Sequence, residues 1–239
     1  MNISFNPTFA LDLELKGSSV DSERALRPVL NRFRRTRTIR SSRLRHMMRT
    51  NIRISLPFPE LMAVASSMGR TTTDLIAALV LKAQAEALND DIFMKHSCAG
   101  VAVSVSPCNL GKFKSVSVAP GEYSLDDALA CLSDSENMRR KFIPGTRGCI
   151  TFCNLGEIYL PSELESEVKS VDFRICSQAG MSRAVTAFNY KGRTIINCSR
   201  KTREHRFEQY FFDELKALGL DASLETSPAS AMSFSYSAL

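Results

Sequence analysis

The stretch that most constrains what this chain can fold into is Thr71 to Leu88, TTTDLIAALVLKAQAEAL. Thr72 or Thr73 can cap a helix there with a side-chain oxygen, Asp74 places negative charge in the first turn, and neither Pro nor Gly follows. From Leu75 to Leu81 every residue is apolar, so both flanks of the first two turns need cover, and only Lys82, Gln84 and Glu86 mark a wet side. A transmembrane helix needs about 20 uncharged apolar residues, so the cover must be protein. The spacing predicts a buried helix packed on a sheet.

With 239 residues and 44% hydrophobic content, the chain can bury a core as one large domain or two small ones. Its seven cysteines, Cys98, Cys108, Cys131, Cys149, Cys153, Cys176 and Cys198, are odd in number, lack a CxxC spacing and sit mostly in strand-like runs. No signal-peptide pattern precedes them, which points to reduced thiols in a cytoplasmic protein. The three histidines, His46, His96 and His205, have no second ligand at metal spacing, so no metal site is expected.

The net charge of +6 belongs to one segment. Between Arg24 and Arg49 there are ten arginines and no acid, which leaves 21 bases against 25 acids, a net −4, for the rest. Arg32, Arg34, Arg35, Arg37, Arg40, Arg43 and Arg45 are its densest part. Such density suits nucleic acid or an anionic membrane surface, and the alternative is a solvated extension without a partner.

In chain order, Phe9 to Leu15 alternates as a strand, and Asn51 to Leu56 alternates again before PFPELMAVASSMG. In that segment Pro59 suits the start of a helix and Gly69 its left-handed end, so it forms a helical hairpin with the apolar stretch. Strands are expected at Gly100 to Ser106 and Lys114 to Ala119, then a helix capped by Ser124, then a short strand at Gly148 to Phe152 followed by the turn CNLGEIYLP. Val171 to Cys176 reads as a strand, Ala184 to Tyr190 and Thr194 to Ser199 as a hairpin closed by Lys191-Gly192, and Arg203 to Leu218 as an amphipathic helix. Phe207, Phe211, Phe212, Leu215 and Leu218 form that helix's core face, while Arg200, Lys201 and Arg203 read as a solvated helix entry. The fold class is α/β, a two-layer sandwich in which helices cover one face of a mixed sheet.

Three pieces in order carry a resemblance: NIRISLPFPELMAVASSMGRTTTDLIAALVLKA, TFCNLGEIYLPSEL, and VDFRICSQAGMSRAVTAFNYKGRTIINCSRKTREHRFEQYFFDEL. Together they resemble the C-terminal half of the condensation-domain and alcohol-acetyltransferase branch of the chloramphenicol-acetyltransferase-like superfamily, through patterns of the form LPxxEL…GxTxxDxLxAAL, SNxGxxxLP and YxGxLxIxxSRxxxExxxExxFFxxL. The resemblance implies three regions: residues 1–50 as an extension with the arginine arm, 51–226 as the acyltransferase-like half, and 227–239 as a flexible tail. It also implies two pseudo-symmetric halves, with an acyl acceptor meeting coenzyme A or a phosphopantetheine arm between them. No resident cofactor is required; the acyl-coenzyme A or carrier-bound acyl group is the substrate.

The family's general base is the second His of HHxxxDG on the first half, and none of the three histidines here has an Asp four positions on. A hydroxyl or amine nucleophile is weak until a base takes its proton, so activity would depend on a separate N-terminal half, while the apolar face that the halves share in the family would be covered by that partner or by self-association. The resemblance places Cys153 and Asn154 where the family has Ser-Asn facing the reaction centre, and a donor there would stabilise the oxyanion of acyl transfer. Cys153 stands for the family's Ser, and a thiol is the poorer donor. On their own, Asn154 and Gly156 are also ordinary turn residues. A thiol nucleophile at Cys153 would need a His and a carboxylate beside it. A non-catalytic binding module, touching its partner through the arginine arm, is the alternative from a different class.

Overall fold

The computed structural model describes residues 8–15, 50–91, 98–104, 113–133, 148–160, 168–176, 183–200 and 205–227. The arginine segment, His46 and His96 lie outside them.

The central helix forms where its sequence demands it. Helix α1 is Phe58–Ser67 and α2 is Thr72–Asn89. The cap of α2 is Thr71 rather than Thr72 or Thr73. Its hydroxyl accepts from the Asp74 backbone N–H at 3.1 Å, while the Asp74 carboxylate accepts from the Thr71 backbone N–H at 3.4 Å. Three consecutive threonines are equivalent in the sequence, and this reciprocal pair decides among them. Gly69, with φ of +65°, separates the two helices. All seven residues Leu75 to Leu81 are buried, and so is Gln84, which was expected on the wet side. Its amide donates to the Gly148 carbonyl at 3.0 Å and so crosses to the neighbouring strand.

The strands are β1 Thr8–Leu15, β2 Thr50–Pro57, β3 Ala99–Ser104, β4 Phe113–Val118, β5 Cys149–Glu157, β6 Val168–Cys176, β7 Arg183–Tyr190, β8 Arg193–Arg200 and β9 Ser223–Ser227. Helices α3, Leu125–Ser133, and α4, Arg206–Ala217, complete the described elements. Seven strands form one sheet in the order β4-β3-β5-β7-β8-β2-β9. It is mixed: β5 is parallel to both β3 and β7, and the other pairs are antiparallel. Lys191 and Gly192 close the β7–β8 hairpin with φ of 48° and 72°, the left-handed pair that matches strand twist.

All four described helices lie on one face of this sheet. Leu61 of α1, the apolar run of α2, Leu129 of α3 and Phe207, Phe211 and Leu215 of α4 form one cluster with Ile54, Val101, Phe152, Val185 and Ile196 of the strands. The α/β layered class read from the sequence is therefore present. The opposite face carries a second cover that the element order did not reveal, an antiparallel ribbon of β1 and β6. Val168, Val171, Phe173 and Ile175 of β6 pack there against Cys153, Ala184, Phe188, Tyr190 and Ile195.

One buried charge cluster also departs from expectation. Arg200, read as part of a solvated entry, is 8% exposed and opposes Arg183 across the hairpin. Both meet Glu208 of α4, at 3.2 Å and 3.5 Å, and the Arg183 guanidinium lies 5.4 Å from the centre of the Phe207 ring. Burial pushes the neighbouring Cys198 thiol far above its ordinary range, with Glu208 adding to the shift. No helix among the described residues is long and apolar enough to cross a membrane.

Candidate functional site

Strand β5 occupies an inner position in the sheet, and its C-terminal end is where the sequence places Cys153 and Asn154. The strand runs past these residues to Glu157 rather than ending at Phe152. It does so by a bulge: Asn154 pairs with Ala187, but the next pair is Glu157 with Asn189. Three β5 steps thus match two on β7. Gly156, with φ of +71°, takes the backbone angle that makes room for the extra residue. The Asn154 side-chain oxygen accepts from the Gly156 N–H at 3.0 Å, which holds the bulge in shape.

The other end of the Asn154 amide leaves the strand. Its Nδ2 donates to the Thr73 hydroxyl oxygen at 2.9 Å, so the bulge is tied to the first turn of α2. Asn154 and Thr73 are both half-buried. Cys153 is different: with 0% exposure its side chain belongs to the ribbon-side cluster, among Val168, Phe173 and Ala184. Alternation along a strand sends successive side chains to opposite faces, so Cys153 and Asn154 present different atoms to different places. The turn reading of Asn154 and Gly156 and the family reading thus meet at one position.

Of the histidines, only His205 is described; it is exposed at the N-cap of α4. No group of His, Cys, Asp and Glu suited to a metal occurs among the described residues. An open cleft of about 460 Å³ lies at the other end of α2, lined by Lys82, Glu86, Asp90, Tyr123 and Tyr210. It is polar and already paired: Lys82 donates to Glu86 at 2.7 Å and to Glu214, and the Tyr210 hydroxyl donates to Asp90. That cleft is separate from the Asn154 bulge, and its one lysine faces the carboxylates of Glu86, Asp90 and Glu122, so it is net negative and unsuited to an anionic acyl donor.

No protein-family model and no curated protein matches the chain. Among solved structures, the trichothecene 15-O-acetyltransferase of Fusarium sporotrichioides matches with a TM-score of 0.50 at 13% identity, over 72% of this chain and 47% of that one. The wax ester synthase/diacylglycerol acyltransferase of Marinobacter aquaeolei VT8 matches with a TM-score of 0.49 at 12% identity, over 85% and 58%. Chloramphenicol acetyltransferase matches with a TM-score of 0.42 at 14% identity, over 73% and 91%. At these identities the likeness is one of fold, and the Fusarium acetyltransferase structure carries it. It spans about half the length of the Fusarium and Marinobacter proteins.

Proposed function

We propose that this chain forms one wall of an acyl-transfer site, with an acyl thioester of coenzyme A or of a phosphopantetheine arm as donor and an alcohol or amine as acceptor. The observation that carries this reading is the Asn154 bulge. An Asn placed by the resemblance at the reaction centre is fixed there by two hydrogen bonds, one to its own strand and one to the central helix. Asn154 supplies the wall; the Cys153 thiol, buried on the ribbon side, does not reach it. The general base comes from elsewhere, because the sequence has no HHxxxDG. A separate first half is the partner that would bring it, in a reducing, cytoplasmic setting.

General-base catalysis contributes about 10²–10⁴-fold, so the chain alone should transfer acetyl from acetyl-coenzyme A at near background while still binding it. Calorimetry with acetyl-coenzyme A, thiol release and mass by light scattering test the three parts. Binding without turnover, in a chain that self-associates or accepts a partner half, supports the reading. A clean monomer that turns over at enzyme-like rates would show that the chain carries its own base. Absence of any binding to acetyl-coenzyme A or an acyl-pantetheine would favour the non-catalytic module, which the missing motif also suits.

A further inference from the structure

We propose that the Thr73 hydroxyl is the group that donates a hydrogen bond to the acyl carbonyl oxygen at this site, with Asn154 as its positioning residue; this rests on the acyl-transfer reading above. The Cys153 thiol is fully buried on the ribbon side. The Asn154 oxygen cannot donate and already holds Gly156, and one of the two Asn154 amide hydrogens is committed to Thr73, which leaves the Thr73 hydroxyl proton as the donor that this bond itself turns outward.

Thr73 is arranged as a donor. A hydroxyl has one proton and two lone pairs. Because the oxygen accepts from Asn154, the proton must point elsewhere, and it meets no acceptor among the described residues. The helix does not need it: Thr71 and Asp74 complete the cap between them. Accepting one hydrogen bond makes a hydroxyl a stronger donor of the next. The first turn of α2 adds the positive end of the helix dipole, which the Asp74 carboxylate already meets in part from the cap side.

In the transfer step, the acceptor oxygen or nitrogen bonds to the carbonyl carbon and the carbonyl π pair moves onto its oxygen. Thr73 stabilises that oxyanion by a hydrogen bond and keeps its proton. The adduct then re-forms the carbonyl and expels the thiolate, and the nucleophile's proton goes to the base brought by the partner. Thr73 needs no partner to reach the ground-state carbonyl, which makes it testable in the chain alone.

The test is the infrared carbonyl band of acetyl-coenzyme A, isotope-labelled at the acetyl carbonyl and bound to the full chain. In the wild type the band should move to lower frequency than in free acetyl-coenzyme A. Thr73→Val should abolish that movement while weakening binding by about tenfold at most, the equivalent of one ordinary hydrogen bond. Thr73→Ser should restore it, and unchanged melting of both variants controls for folding. A wild-type band that moves and stays moved in Thr73→Val overturns the assignment to Thr73 and leaves the acyl-transfer reading standing. A wild type that does not bind acetyl-coenzyme A overturns both.

Discussion

On the helix side of the sheet, strand residues such as Ile54, Phe152, Val185 and Ile196 join one apolar cluster with the helices, and the buried charges among the described residues there, Arg183, Arg200 and Glu208, are gathered at one margin. On the ribbon side the same strands present Thr186, Asn197 and Ser199 beside Phe188 and Ile195, and these polar groups reach across to β6 or along the sheet. Thr186 donates to the Phe173 carbonyl at 2.9 Å, and Asn197 donates both to that carbonyl, at 2.9 Å, and to Asp172, at 2.6 Å. The difference teaches that the two covers do different work. Apolar burial is non-directional and supplies most of the folding free energy, whereas a buried hydrogen bond contributes a net ~0.5–1.5 kcal/mol but fixes where its partner lies. The helix layer holds the domain folded; the ribbon is held in place.

That contrast is broken most severely at Leu79, which has 0% exposure in the middle of α2. Leu79→Asp puts an uncompensated charge in a dry core, at a cost of several kcal/mol against a typical domain stability of about 5–15. The expected outcome is loss of the cooperative melt followed by circular dichroism. A variant that melts at the wild-type midpoint would show that the helix layer is not what holds the sheet.

How much of this was legible depends on distance along the chain. The α2 core, the Lys191-Gly192 turn and the Phe207-Phe211-Leu215 face were readable because each is a local pattern with a local cause. What was not legible joins residues far apart. The alternation of Thr8–Leu15 shows a strand but not that its partner is Val168–Cys176. Nothing near Arg200 announces that Glu208 and Arg183 will bury it, because its neighbours in sequence look solvated. Strand β9 has no alternation to betray it, being exposed at Ser223, Leu224 and Glu225 and paired only through β2. At the candidate site Asn154 and Gly156 were visible, but Thr73 stands 81 positions away from Asn154 and only the fold brings them together.

The ribbon side should respond on a smaller scale. Thr186→Val keeps the shape of the side chain and removes one donor. The Phe173 carbonyl is not stranded, since Asn197 still donates to it, so the loss should be about 0.5–1.5 kcal/mol rather than the full penalty of an orphaned group. Urea unfolding would measure it as a lower midpoint at unchanged slope. A loss as large as that expected for Leu79→Asp would erase the distinction between the two covers.

The smallest effect belongs to the rim of the helix layer, where Lys82 joins α2 to α4 by binding Glu86 and Glu214 together. Burial lowers the pKa of Lys82, but hydrogen bonds to Glu214 and then Glu86, with the charges of both, more than offset this and leave it above the usual lysine value of 10.5. A group whose pKa is raised on folding contributes stability that is fully present below its unfolded pKa and disappears as pH climbs through the folded one. The contribution of Lys82 should therefore be constant at neutral pH and decline only above about pH 10.4. Exposed pairs are worth about 0.2–1 kcal/mol, and these, at 12–24% side-chain exposure, sit at the upper end of that scale. Comparing the wild type with Lys82→Met across alkaline pH should show the gap between their urea midpoints closing as pH rises past 10.5, the ordinary lysine value. A gap that stayed constant through that window would mean that Lys82 acts through the packing of its aliphatic stem between the two helices, and the rim would then belong with the apolar side of the comparison rather than stand apart from both.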